Sequence, residues 1–93
     1  MVSKELVVKN QSGIHARPAA VIVKTTSKFQ SDVSFIKDDI HANAKSIMNI
    51  LLLAVEPGSH IIVEAEGPDE DEALGAMIKL FESDFHDETE QTF

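Results

Sequence analysis

Ninety-three residues make one domain with room for a modest core, and a hydrophobic share of 43% excludes a disordered chain. The absence of cysteine excludes disulfides and thiolate metal sites, and a net charge of −8 argues against general nucleic-acid binding. No apolar run reaches the roughly 18 residues that a membrane span requires, so no membrane insertion is expected.

The charge is unevenly placed. Residues 1–45 hold seven Lys/Arg and four Asp/Glu, a net of +3; residues 46–93 hold one Lys and twelve Asp/Glu, a net of −11. Met1 to Lys9 show neither a long apolar run nor a small-residue cleavage pattern, so a cytoplasmic location is expected.

Lys4 to Lys9 reads as a first strand, with Leu6 and Val8 on one face. Asn10 to Gly13 is rich in turn formers. A helix is expected from Ala16 to about Ser27, with Ala19, Ile22, Val23 and Thr26 as its core stripe. Its opposite positions, Ala20, Lys24 and Ser27, face outward. Asp32 to Lys37 is a second strand with Val33 and Phe35 inward. Asp38-Asp39 turns the chain into a short third strand at Ile40 to Ala42. Asn43 to Ser46 offers caps for a short helix from Ile47 to about Leu53. Ser59 to Glu66 alternates clearly, with Ile61, Val63 and Ala65 on one face. Asp69 and Glu72 have capping-box spacing at the start of a last helix, whose core face is expected to be Leu74, Met77, Ile78 and Phe81 with Ala73 beside them. Residues 1–85 form the domain, and the acidic segment 86–93 is expected to be a flexible tail. The order βαββαβα predicts an α+β, two-layer, open-faced sandwich: a four-stranded antiparallel sheet with three helices on one face.

The chemistry concentrates in Gly13-Ile14-His15-Ala16-Arg17-Pro18-Ala19-Ala20. Pro18 lacks an amide proton, which costs little in a first helical turn, so the helix begins near His15. The amides of Ala16 and Arg17 then point into the space that the imidazole occupies. A helix N-terminus attracts anions and favours a neutral, nucleophilic ring. Arg17 adds a permanent cation suited to phosphate oxygens. Such an arrangement suits a phosphohistidine intermediate. His-x-x-Pro alone is more often an ordinary solvated cap; Gly13, His15, Arg17 and Pro18 in order sharpen the case.

Over roughly residues 2–85 the chain resembles the HPr family, the histidine-containing phosphocarriers of the bacterial phosphoenolpyruvate-dependent sugar phosphotransferase system. Gly13 to Ala20 matches the family's active-site segment. Asn43-Ala44-Lys45-Ser46-Ile47-Met48-Asn49 matches its regulatory-serine segment. Gly67-Pro68-Asp69-Glu70 is a weaker third match. The resemblance implies that His15 accepts a phosphoryl group on Nδ1 from phosphorylated Enzyme I and gives it to an Enzyme IIA. Arg17 would neutralise charge, and the amides of Ala16 and Arg17 would hold the oxygens. It implies a carrier, not a turnover enzyme, with no cofactor, and a monomer is expected.

The matching serine, Ser46, is the site at which an HPr kinase/phosphorylase would act, although serine at this position also reads as a plain helix cap. The resemblance further implies a partner-docking patch of Ile47, Met48 and Leu51 with Ala20, Lys24, Ser27, Lys28 and Lys45 around it. Ile50 and Val55 are expected in the core. Asn49, the bulky run Leu51-Leu52-Leu53 and the long tail depart from the family pattern. One alternative is a regulatory homologue serving a nitrogen-type branch, or acting through Ser46 on a transcriptional regulator. A metal module of His15, His41, His60 and His86 matches no compact ligand spacing, so no metal site is assigned.

Overall fold

Alternating apolar residues and caps sort the chain into seven elements: β1 (Val2–Val7), α1 (Ala16–Thr26), β2 (Asp32–Lys37), β3 (Ile40–Asn43), α2 (Ile47–Leu52), β4 (His60–Glu66) and α3 (Glu70–Glu82). The computed structural model describes residues 1–9, 13–83 and 85. Residues 10–12 of the expected Asn10–Gly13 loop and the acidic tail 86–93 lie outside the described residues.

The strands form one sheet in the order β1-β4-β2-β3, with every neighbouring pair antiparallel. Phe35 stands opposite Val63 on β4 and opposite Ala42 on β3, so the apolar set of each strand meets on one face. Lys37 pairs with Ile40 across a two-residue loop. Asp38 and Asp39 there both take positive φ, 51° and 66°, as the tight hairpin turn requires. The three helices cover the apolar face. Ile22, Phe35, Ile50, Ile61 and Met77 are fully buried between the layers. Phe81 meets Phe35 edge-on at 5.7 Å and Phe85 at 4.8 Å, extending the core past the end of α3.

The expected two-layer α+β sandwich is the observed fold. Leu6 and Val8 are both buried, although β1 runs earlier than expected, from Val2, and Val8 lies just beyond it. Helix α1 buries Ala19, Ile22 and Thr26 as predicted, adds Pro18 and Val21, and leaves Val23 half-buried.

Helix α3 differs in two respects. Its buried stripe is Ala73, Met77, Leu80 and Phe81, while Leu74 and Ile78 are half-buried. The edge-on contacts of Phe81 with Phe35 and Phe85 accompany this shift toward Leu80. The predicted capping box does not form, because Asp69 makes no side-chain cap bond. Its carboxylate instead accepts the amides of Gln30 (3.0 Å) and Ser31 (2.8 Å) and the Ser31 hydroxyl. The Asp69 amide donates back to Ser31 Oγ at 3.1 Å. The carboxylate thus ties the start of α3 to the loop after α1, a tertiary role that outcompetes local capping. Glu70 takes the capping part: its Oε1 accepts the Gly67 amide at 3.2 Å.

Candidate functional site

His15 is the N-cap of α1. Its backbone is extended (φ −115°, ψ −160°), its carbonyl accepts the Ala19 amide at 2.9 Å, and its side chain makes no capping bond. The ring is left in solvent at the helix mouth. Pro18 occupies the third helical position and contributes no donor there, while its ring packs into the core. The Ala16 amide has no acceptor among the described residues. Arg17, the second helical residue, is exposed beside it. The site therefore joins an open imidazole, the positive end of an eleven-residue helix and a guanidinium.

Gly13 and Ile14 bring the chain into this position. Gly13 takes φ +69°, and Ile14 is buried with its amide donating to the Val55 carbonyl at 3.1 Å. His15 thus projects outward from a residue anchored inward.

The surface beside His15 continues along α1 through Ala20, Lys24 and Ser27 to Lys28, all exposed. Helix α2 packs alongside α1. Ile47 and Met48 are exposed, Met48 at 67%, while Ile50 and Val55 are buried, the division expected from the sequence. Leu51 is half-buried against the core. Leu52, noted in the sequence only as part of a bulky run and not placed in the docking patch, is 74% exposed. Its i, i+4 relation to Met48 was the available signal. Lys45 is half-buried, and its Nζ donates to the Phe29 carbonyl at 2.9 Å. This holds the α2 entry against the end of α1.

Ser46 is the N-cap of α2, with Oγ accepting the Asn49 amide at 3.3 Å and Asn49 Nδ2 at 3.1 Å. The Asn43 side chain accepts the Lys45 amide at 3.0 Å just upstream. The capping role is thus present in the geometry, and Asn49 has a local use that a smaller residue would lack.

Two carboxylates are displaced from their ordinary values. Asp69 is held low chiefly by the Ser31 hydroxyl and next by the Gln30 amide. Glu70 is lowered by the Gly67 amide first, then by the N-terminal ammonium, which lies 3.3 Å from its Oε2. Both belong to the α3 entry, at the end of α1 away from His15.

The other histidines do not gather at His15. His41 and His60 alternate with the inward residues Ala42 and Ile61, so they project from the open face of the sheet. His60 Nδ1 lies 3.8 Å from Glu5 Oε2, and His86 is outside the described residues. Among the described residues no group of three His, Cys, Asp or Glu side chains could hold a metal ion. None of the described helices is long and apolar enough to cross a membrane.

Fold and site together define an open-faced sandwich that presents a single imidazole over an anion-attracting helix end. The family profile "PTS HPr component phosphorylation site" matches residues 2–83. The phosphocarrier protein HPr of Treponema pallidum is 46% identical over 88 residues, spanning 95% of this chain and all of that protein. The HPr-like protein Crh of Halalkalibacterium halodurans is 43% identical over 84 residues, spanning 90% and 100%. The crystal structure of an HPr from Thermoanaerobacter tengcongensis superposes with a TM-score of 0.89 at 46% identity, covering 95% of this chain and 99% of that one. The chain belongs to the HPr family, the phosphocarriers of the phosphotransferase system.

Proposed function

We propose that the protein is a phosphoryl carrier whose acceptor is His15 Nδ1. The nitrogen lone pair attacks the phosphorus carried by phosphorylated Enzyme I. The new N–P bond forms as the donor's bond to phosphorus breaks, and the group then leaves His15 for an Enzyme IIA in the same manner. Such a transfer demands alignment and charge stabilisation more than covalent machinery. The amides of Ala16 and Arg17 and the Arg17 guanidinium supply the charge stabilisation. The observation that carries this reading is the His15 ring, exposed at the N-cap and making no capping bond. An exposed site with one arginine keeps the phosphoramidate reactive enough to pass on.

Docking would use the exposed α1 face with Ile47, Met48, Leu51 and the lysines, which suit an acidic, partly apolar partner surface. Ser46 would serve as a second, regulatory site for an HPr kinase/phosphorylase. A dianion on Oγ at the start of α2 adds negative charge to that surface and weakens acidic partners. The likeness to Crh, which carries catabolite repression in its name in Bacillus subtilis, supports regulation as a second role, one in which a transcriptional regulator would read Ser46 phosphorylation.

Incubation with Enzyme I and labelled phosphoenolpyruvate tests the main role. Wild type should carry acid-labile label, His15→Ala none, and Arg17→Ala label acquired more slowly in a protein that stays folded. Label on His15→Ala refutes the assignment.

A further inference from the structure

The approach of the chain to His15 is held from a distant part of the sequence. Val8 exchanges two main-chain hydrogen bonds with the turn before β4: its amide donates to the Ser59 carbonyl at 3.0 Å, and its carbonyl accepts the Gly58 amide at 2.8 Å. On the far side of residues 10–12, the Ile14 amide donates to the Val55 carbonyl at 3.1 Å. The connection from α2 to β4 therefore grips the His15 segment at both ends. The grip is stiff in itself, since the Glu56 amide donates to Ser59 Oγ at 3.1 Å and the Ser59 amide to the Glu56 carbonyl at 3.0 Å.

Contact at the inner end is backbone on backbone. A Cβ on Gly13 would lie 2.3 Å from the Val55 carbonyl oxygen and 3.1 Å from Glu56 Cα. No side chain fits without moving one segment off the other, and φ of +69° penalises an L-residue there as well. An unusual residue precedes Val55. Ala54, exposed and one position beyond the α2 C-cap, takes φ +51°, a left-handed conformation that glycine adopts without cost. A strained backbone has been kept where the chain leaves α2 and reaches the His15 segment.

We infer that the Val55 carbonyl and the side-chain-free Gly13 are positioning groups for phosphoryl transfer. Through the Ile14 peptide they fix the height and direction of His15 relative to the first amides of α1. The inference rests on His15 being the phosphoryl acceptor. In-line transfer is sensitive to displacements of about 1 Å, which cost on the order of 100-fold in rate. Gly13 and Val55 are both buried and belong to neither the exposed face of α1 nor the exposed side chains of α2. Their disturbance should therefore act on the chemical step and not on partner binding.

Gly13→Ala tests this in the full chain with phosphorylated Enzyme I as donor. The expected result is a kcat at least 10-fold below wild type with KM within about 3-fold of it. Should Gly13→Ala not fold, an amide-to-ester replacement at Ile14, which deletes the N–H donor and keeps every side chain, gives the same comparison. Nuclear magnetic resonance supplies an independent reading. Loss of the scalar coupling across the Ile14 N–H···O=C Val55 bond should move the His15 ring and Ala16 amide signals. A wild-type kcat in both variants, a rise in KM alone, or unmoved His15 and Ala16 signals after loss of that coupling overturns the inference. If wild type itself takes no label, the acceptor assignment fails, and the resonance comparison still decides whether Val55 positions the ring.

Discussion

Thr26→Val should loosen the protein at one buried hydroxyl, which leans on the Val23 carbonyl of its own helix at 3.2 Å and reaches across to the segment before α2. Thr26 is fully buried at the end of α1, and its hydroxyl donates to the Ala44 carbonyl at 2.8 Å in the segment leading into α2. Ala44 is equally buried, so no water can replace the lost donor. Leaving a buried carbonyl unsatisfied costs roughly 1–3 kcal/mol. The extra methyl of valine offsets at most about 0.8 kcal/mol. A net loss of about 1–2 kcal/mol remains. For a domain of this size each kcal/mol lowers Tm by about 4–8 °C, so a fall on the order of 5–15 °C is expected. Urea unfolding followed by circular dichroism gives the free-energy difference directly. Thr26→Ser is the companion, because it keeps the hydroxyl and removes only a methyl. A valine variant as stable as wild type, with unchanged m-value, would refute the reasoning and show that the Ala44 carbonyl finds another donor.

Acid should release the α3 entry. Asp69 and Glu70 titrate below their ordinary values in the folded state, so their contribution is complete above the unfolded values, about 3.9 and 4.3, and is lost as the pH falls through the lower folded values. Asp69→Asn should therefore flatten the stability profile below about pH 4, as checked by urea midpoints measured from pH 2 to 7. Ala54→Gly should raise stability by about 0.5–1 kcal/mol, since relief of a left-handed alanine outweighs the extra freedom of glycine when unfolded; a lower urea midpoint would contradict the strain. Ser46→Ala should cost about 1 kcal/mol through loss of the cap to Asn49, seen as a lower Tm, while leaving His15 labelling intact. Mass mapping after treatment with an HPr kinase and ATP should find phosphate on Ser46 of wild type and none on this variant.

Period-two and period-3.6 patterns carried much of the architecture, because β2, β4 and α1 each bury one regular stripe. Ile61, Val63 and Ala65 could be assigned inward from alternation alone. Where packing between distant segments decided the outcome, the sequence was silent. The turn of α3 toward Leu80 goes with edge-on aromatic contacts that join β2 to the end of the helix. Asp69 and Glu72 have the spacing of a capping box, but the Asp69 carboxylate finds better donors in Gln30 and Ser31, 39 and 38 residues upstream. The start of α1 was legible: Gly13 and Pro18 mark where the helix begins and so put His15 at its N-cap. The Val55 carbonyl was not, since a main-chain acceptor leaves no mark on residue type.

The most direct test is phosphorus and nitrogen resonance spectroscopy on the phosphorylated protein. The account predicts one acid-labile phosphoramidate on His15 Nδ1, with the Ala16 and Arg17 amide protons shifted downfield as they meet its oxygens. Phosphate on another residue, or phosphate on His15 with those two amides unmoved, contradicts it.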